Sequence, residues 1–347
     1  MAANEATAAG LPLADAYLPW ARATNFRDAV LPGARGEWHW LLLELSDTTS
    51  ASEFASAARQ SARDDLRVPA HYLNPPQGLE RSRYCTAACS PRFLAALVGE
   101  GGAVPGAELL SKIRRFEIGF VASALPDPDA TLPVAQPQGG AEAGVVVGIV
   151  DDGLAIANER FRSFANGRHA TRLLAFWDQH QRAEPSSPWV HGRVFGQADL
   201  NARFAALPAA AGPADEALLH AGMGYTEVRH RVTHGTHVMD LACGADPRDP
   251  EAPPIVAVQL PGGSIADTSC ASSTAFMLDA VRFVLATADA AVPHGQSVPV
   301  IINLSIGNIA GPHDGSSIFE QALDELIGLR SNCDVVLAAG NSYLLRC

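Results

Sequence analysis

The feature that most constrains the fold is a set of four short, uninterrupted apolar runs in the second half of the chain. They are GVVVGIV (144–150), IVAVQ (255–259), VPVIINLS (298–305) and DVVLAA (334–339). Runs of this length are typical of strands that are buried on both faces of a sheet. We therefore expect a sheet that is covered on both sides.

Helical patterns lie between these runs. The segments ASSTAFMLDAVRFVLATA (271–288) and SSIFEQALDELIGLR (316–330) both indicate helices, and in the second Ser317 and Glu320 fit a capping box. The stretch TRLLAFWDQ (171–179) predicts one further strand. Strands that alternate with helices predict an α/β fold, a doubly wound and mostly parallel sheet with flanking helices.

The first part of the chain has a different pattern. EWHWLLLEL (37–45) and IRRFEIGFV (113–121) indicate strands, and SPRFLAALVGEGG (90–102) indicates a helix that ends at glycine. A stretch rich in Pro, Gly and Ala follows, which is the composition of a linker. The predicted division is a smaller N-terminal α+β region at 1–125, a linker at 126–143 and the larger region at 144–347.

Charge and composition exclude several classes of protein. The formal net charge of −12 argues against general nucleic-acid binding, which needs a basic surface. No apolar run approaches the roughly 20 residues that span a bilayer, so no membrane association is expected. The N-terminus lacks a basic start followed by an apolar core, which predicts a cytoplasmic protein without a signal peptide. Neither GxGxxG nor GxxxxGK[ST] occurs, so nucleotide binding is disfavoured.

The cysteines do not indicate a disulfide framework or a metal site. Six are scattered through the chain, and Cys85 and Cys89 lie four positions apart with His71 nearby. A zinc site would need two further ligands at close spacing, and the sequence offers none. We expect free thiols, no metal and no cofactor.

The motif GIVDDG places a carboxylate at the end of the first buried run. Asp151 continues the strand directly, and Asp152 is the alternative. A carboxylate in this place can hold an imidazole in one tautomer and stabilise its charged form. An acidic residue before glycine is also common in ordinary turns.

The motif THGTHVMDLACG places His234 at the predicted start of a helix, where Thr233 is a candidate cap. A histidine at a helix start that faces a strand end is suited to act as a general base. Two alternatives are a buried structural histidine and a metal pair of His234 with His237, although the HExxH partners of such a pair are missing.

Two more motifs follow buried runs. IINLSIG ends in Ser305, Ile306 and Gly307, where backbone groups become accessible, and VVLAAGNS places Asn341 after a strand and a glycine. A side-chain amide in that place can donate to a developing oxyanion. Taken singly, the first motif also fits a simple strand exit and the second an Asn in a turn.

Together, and in this order, the four motifs resemble those of the subtilisin-like serine proteases, or subtilases, over roughly residues 144–347. The resemblance implies that Asp151 orients His234, that His234 is the general base and that Asn341 forms half of an oxyanion hole. It further implies a polypeptide substrate that binds by strand addition. The implied substrate-binding residues are Ser305, Ile306 and Gly307 on one side, and Leu260 and Gly262 in the stretch that ends at Gly263 on the other.

The chain departs from the family pattern at the nucleophile. The motif GTSxAxP should follow the asparagine motif, but the sequence given ends at Cys347. The strings DTSCAS (267–272) and GPHDGSSIF (311–319) are interpreted as loops and caps, with Ser272 or Ser273 as a helix N-cap. A long insertion also separates Asp151 from His234. We therefore expect a truncated peptidase domain that has no protease activity by itself.

Two functions remain open at this point. One is a serine endopeptidase whose serine lies outside these residues, and the other is a catalytically inactive subtilase-like fragment that binds peptides or partner proteins. Retention of all three implied site residues favours the first. The N-terminal region is either a propeptide-like domain or an unrelated accessory domain.

Overall fold

The computed structural model describes residues 12–14, 18–24, 38–100, 102–121, 125, 144–165, 168–181, 189, 191–207, 214–229, 233–262, 273–293, 296–307 and 311–340. They include one five-stranded sheet, one six-stranded sheet and a two-stranded hairpin. The predicted linker, 126–143, lies entirely outside the described residues. Among them, no helix is both long and apolar enough to cross a membrane.

The five-stranded sheet belongs to the N-terminal region. Its strands lie in the order β1-β5-β2-β4-β3, and the predicted strands and helix of this region are present. The elements are β1 (Leu13–Ala14), α1 (Leu18–Ala23), β2 (His39–Leu45), α2 (Ala51–Ser61), β3 (Leu66–Arg67), β4 (Tyr84–Cys89), α3 (Pro91–Leu97) and β5 (Ile113–Val121), with 3₁₀ turns at Ala70–Leu73 and Ala107–Lys112.

The six-stranded sheet belongs to the second region and has the order β10-β9-β11-β6-β12-β13. All its neighbouring strands are parallel except β10, which runs antiparallel to β9. The elements are β6 (Val146–Asp151), β7 (Arg162–Ala165), β8 (Arg168–Thr171), β9 (Leu173–Asp178), β10 (Arg193–Gly196), α4 (Gln197–Ala205), α5 (Ala214–Met223), α6 (His234–Cys243), β11 (Ile255–Gln259), α7 (Thr274–Ala290), β12 (Val300–Leu304), α8 (Ile318–Leu329) and β13 (Cys333–Leu337), with 3₁₀ turns at Glu159–Phe161 and Glu227–Arg229.

The predicted fold class is confirmed at this level: the region is α/β, with a mostly parallel sheet and flanking helices. Each of the four apolar runs contains a strand, as does 171–179. The expected burial on both faces is confirmed for β6 and β11, in which every residue is buried. It is wrong for β12, which exposes Ile301, and for β13, which is the edge strand and exposes three of its five residues, because no further strand or helix of the described residues covers them. In β6, Val146 and Val150 pack with α7, while Val147 and Ile149 pack on the other face with α6.

The first residues of α8, α6 and α7 differ in whether a side chain caps the helix. The capping box of α8 is confirmed, since the Ser317 hydroxyl accepts a hydrogen bond from the Glu320 backbone N–H and the Glu320 carboxylate accepts one from the Ser317 backbone N–H. The capping role predicted for the Thr233 side chain is wrong. Thr233 occupies the N-cap position of α6, but its hydroxyl donates to Thr236 Oγ1 at 2.7 Å instead. Ser273 occupies the N-cap position of α7, and Ser272 lies outside the described residues.

The five-stranded sheet packs against α7 and α8, so the two regions share one hydrophobic core. Trp40 and Leu42 of β2 belong to the same buried cluster as Phe276 and Phe283 of α7. Polar contacts cross the same interface, and the most buried centres on Asp279. Its carboxylate accepts hydrogen bonds from the hydroxyls of Tyr72 and Thr86, each at 2.9 Å.

Candidate functional site

The strand order of the parallel sheet predicts a crevice at the carboxyl end of β6. β6 is the first strand of the sheet in sequence, and β11 and β12 lie on either side of it. The chain leaves β6 towards β9 on one side and leaves the neighbouring strand β12 towards β13 on the other, and a crevice forms at the carboxyl ends of strands where the direction reverses. Asp151 is the last residue of β6, so it lies at this crevice.

The predicted contact between Asp151 and His234 is present. His234 Nδ1 lies 2.7 Å from Asp151 Oδ1. The histidine is the first residue of α6 and its side chain is 63% exposed, whereas the side chain of Asp151 is 1% exposed. A carboxylate can only accept, so Nδ1 carries the proton and Nε2 keeps its lone pair. Within the described part of the chain, the His234 ring makes no second hydrogen bond.

Burial governs the electrostatics of Asp151. It raises the pKa of the carboxyl, and the hydrogen bonds from His234 and from the Asp152 backbone N–H act in the opposite direction. Both of these bonds end on Oδ1, and the buried Oδ2 has no hydrogen-bond partner among the residues that the structure describes.

The loop after β6 fixes the distance between the two side chains. The Gly235 backbone N–H donates to Asp152 O at 2.7 Å, which ties the first turn of α6 to the loop. A Cβ at Gly235 would lie 2.4 Å from Asp152 O, so this close approach requires glycine. The Asp152 carboxylate accepts from Gln259 instead of contacting His234. The structure therefore pairs Asp151, and not Asp152, with His234.

The stretch that includes Leu260 and Gly262 lies next to this loop, but its backbone donors are occupied. Leu260 is fully buried and its N–H donates to Asp151 O at 3.0 Å. The Gly262 N–H donates to His180 Nδ1 at 3.2 Å, and Pro261 has no N–H. Pairing of a peptide with these residues would have to use their carbonyl groups.

The second stretch implied to bind substrate follows β12 on the other side of β6. Ser305, Ile306 and Gly307 are all partly exposed. The Ser305 hydroxyl donates to Asn303 Oδ1 at 2.6 Å. A Cβ at Gly307 would lie 3.0 Å from the Cα atom of Gly340, so two backbones approach each other closely here.

Several predicted features lie outside the described residues. They are Asn341, Gly263, Ser272 and the string DTSCAS (267–272). Gly340, with φ of 84°, is the last described residue and follows β13. Because β13, β12 and β6 are parallel, it lies at the same carboxyl edge of the sheet as Asp151. The oxyanion role of Asn341 therefore stays a prediction.

Three residues that support the pair were not predicted from the sequence. Gln259, Tyr225 and Thr236 hold the loop of residues 152–155 through side-chain hydrogen bonds. Gln259 ends an apolar run and Thr236 lies inside the motif HGTH, so their positions were visible. Their partners were not, because these come from distant parts of the sequence.

The described residues hold no group of three or more His, Cys, Asp or Glu that could hold a metal ion. Cys85, Cys89, Cys243 and Cys333 are buried free thiols. Burial raises the pKa of the Cys89 thiol to about 12, which makes it unreactive.

Comparisons with known proteins add no relative: a scan against protein-family models finds no match, and neither does a search of curated proteins.

Proposed function

We propose that this chain holds the acid–base half of a serine endopeptidase of the subtilase type. The single observation that carries the proposal is the pair of a buried Asp151 and an exposed His234 joined at 2.7 Å, at the reversal point of a parallel sheet. A histidine that serves packing alone is usually buried, as His191 and His220 are here. An exposed ring with a buried carboxylate behind it is suited to exchange protons with a ligand.

The chemistry would run through His234. Its Nε2 takes the proton from a serine hydroxyl while the serine oxygen attacks the peptide carbonyl carbon. Asp151 stabilises the imidazolium that forms, and the same proton then passes to the leaving amine. Asn341 would donate a hydrogen bond to the oxyanion. The polypeptide substrate would lie between the stretch of Ser305 to Gly307 and the stretch at Leu260.

An open surface beside the pair supports the idea that the serine comes from polypeptide outside these residues. On the α6 side of β12 and β13, Ile301 is 41% exposed and Val336 is 51% exposed, and their neighbours on this side are the partly exposed Asn303 and the exposed Asp334. Two strands about 4.8 Å apart give a strip roughly 10 Å wide, which is the width of one helix. A helix on this strip would bring a side chain close to His234.

The test has two arms. We expect the chain as given to show no labelling by a fluorophosphonate probe and no hydrolysis of an unstructured peptide. We expect hydrolysis when a segment that contains GTSxAxP is joined after Cys347. In that longer chain, Asp151→Asn should lower kcat by about 10⁴, because the imidazole loses its orienting charge.

The measurement that decides the proposal is kcat/KM of the longer chain with and without His234→Ala. Activity that survives His234→Ala at a near-normal level would exclude His234 as the general base. Binding of peptides without hydrolysis in the longer chain would instead support the inactive, peptide-binding alternative. Stoichiometric labelling of any serine in the chain as given would contradict the expected location of the nucleophile.

A further inference from the structure

Gln259 has a side chain whose hydrogen-bonding capacity is completely used inside the site. It is the last residue of β11 and is fully buried. In the sheet it lies between Asp151 of β6 and Asp178 of β9, and all three side chains point to the α6 face. A neutral amide therefore separates two buried carboxylates at the carboxyl edge of the sheet.

The two amide atoms of Gln259 bind four different groups. Oε1 accepts from the Gly153 N–H and from the Tyr225 hydroxyl, both at 2.7 Å. Nε2 donates to Asp152 Oδ1 at 2.6 Å and to Leu260 O at 2.8 Å. A glutamine has two acceptor positions and two donor hydrogens, so none is left over. This full satisfaction also fixes which end of the amide faces which partner.

These bonds reach both parts of the proposed site. Asp152 and Gly153 directly follow the carboxylate of the pair, and Asp152 O accepts a hydrogen bond from the Gly235 N–H in the first turn of α6. Leu260 begins the stretch on which a substrate would lie. Buried networks whose members are all satisfied are rigid, and removal of one member leaves several buried groups unpaired.

We infer that Gln259 is a positioning residue, which holds the loop after Asp151 and the start of the substrate stretch in one arrangement and thereby keeps His234 on Asp151. The inference rests on the proposed function, since positioning matters only if the pair transfers protons. Tyr225 takes part as the bridge: its hydroxyl donates to Gln259 and accepts from the Leu154 N–H at 2.8 Å.

The chain offers a matched control. Gln179 follows β9, is also buried, and its backbone N–H donates to Gln259 O at 3.0 Å. Its side-chain amide, however, donates to Phe276 O of α7, on the other face of the sheet. Gln259→Leu and Gln179→Leu therefore remove the same buried amide from adjacent positions, and only the first removes it from the site.

The experiment follows the His234 Nδ1–H proton by NMR in the whole chain, with His234→Ala used to assign the resonance. We expect a slowly exchanging resonance in the wild type and in Gln179→Leu. Gln259→Leu should lose it or exchange it at least tenfold faster, and Tyr225→Phe, which keeps part of the network, should exchange it a few-fold faster. A loss of stability alone would not separate the two leucine variants in this way.

A folded Gln259→Leu protein that keeps the wild-type resonance and exchange rate would overturn the inference. If Gln259→Leu does not fold, Tyr225→Phe decides, and an exchange rate equal to that of Gln179→Leu would overturn it. Absence of the resonance in the wild type would mean that the pair itself does not form, which contradicts the proposed function and the inference together. The two failures are therefore distinguishable.

Discussion

The two faces of the six-stranded sheet differ in how completely they are covered. On one face, α7 and α8 cover β6, β11 and β12, and the N-terminal sheet covers these helices in turn; at the end of the edge strand β13, Leu337 remains 52% exposed on this face. On the other face, α6 packs over β6 and β11, while Ile301 and Val336 of the neighbouring strands remain 41% and 51% exposed. We call the first the sealed face and the second the open face.

The sealed face contains charges as well as apolar groups. Asp279 and Arg282 lie one turn apart on α7 and are each 1% exposed. Burial alone would raise the pKa of the Asp279 carboxyl, but the charge and hydrogen bond of His71, with help from Tyr72, hold it below its usual value. Buried charges are tolerated only with such partners, and here the N-terminal region supplies them.

The two faces of the sheet therefore have different roles. The sealed face supplies the stability of the fold and makes the N-terminal region an integral packing partner. The open face carries the Asp151–His234 pair and a strip of two apolar and two polar side chains, Ile301, Val336, Asn303 and Asp334. Exposed apolar side chains beside a candidate site are a candidate contact surface for another helix.

The largest effect is expected on the sealed face at Asp279. Asp279→Ala removes the acceptor of Tyr72 and Thr86 and leaves their hydroxyls buried without it. Breaking a buried charged network in this way costs about 3–5 kcal/mol, which urea unfolding would measure. Asp324→Ala, at an exposed position of α8, is the control and should change the unfolding free energy by less than about 0.5 kcal/mol. Equal effects would contradict a sealed interface.

The next effect concerns the dependence of the unfolding free energy on pH. His191 lies in the sealed core stacked on Trp177, and burial lowers the pKa of its ring to about 4. A histidine in the unfolded chain has a pKa of about 6.5. Between about pH 4 and about pH 6.5 the ring is therefore protonated in the unfolded chain but neutral in the folded protein. The contribution of this residue to the unfolding free energy is therefore present in full above about pH 6.5. It decreases as the pH falls towards about 4, by up to about 3 kcal/mol.

His191→Phe should keep the stacking and remove this share of the acid sensitivity. The measurement is the unfolding free energy of wild type and variant at several pH values across the window. His237→Gln, on the exposed side of α6, serves as the control and should leave the slope unchanged. If the unfolding free energy of the variant depended on pH as steeply as that of the wild type, burial of His191 would not contribute to the acid sensitivity.

The sequence allowed much of the open face to be predicted. Apolar runs identified the central strands because a strand buried on both faces needs apolar residues at every position. The order of the motifs then brought Asp151 and His234 together. Both signals are local in the sequence, so no three-dimensional information was needed to find them.

The sealed face could not be predicted in the same way. Asp279 interrupts an apolar helical pattern, and its partners Tyr72 and Thr86 lie 207 and 193 positions away. The role of Gln259 was hidden for a similar reason, because a glutamine at a strand end can face solvent or four buried partners. Contacts of long sequence separation depend on how the sheets stack, which no local pattern encodes.

A smaller effect is expected where the open face is tightly packed. Gly235→Ala would place a Cβ 2.4 Å from Asp152 O, a backbone atom that cannot rotate away. We expect a loss of about 1–3 kcal/mol in thermal or urea unfolding, together with a weaker Asp151–His234 contact. Gly328→Ala, in α8 with open space around the new methyl group, should instead gain up to about 1 kcal/mol. A gain at both positions would show that α6 does not lie tightly on the loop.

The smallest effect on stability is expected at the open strip, and it distinguishes the two faces most directly. Val336 of β13 is 51% exposed on the open face, whereas Leu285 of α7 is fully buried. Val336→Ser should change the unfolding free energy by less than about 1 kcal/mol, because half of the side chain is already in water. Leu285→Ser should cost about 2–5 kcal/mol, since it leaves a cavity and buries a hydroxyl. In sedimentation experiments Val336→Ser should also lower any self-association, as it removes apolar surface from the strip. A loss of several kcal/mol for Val336→Ser would mean that the strip is already covered in the folded chain, and the proposed docking of a serine-bearing helix there would then be wrong.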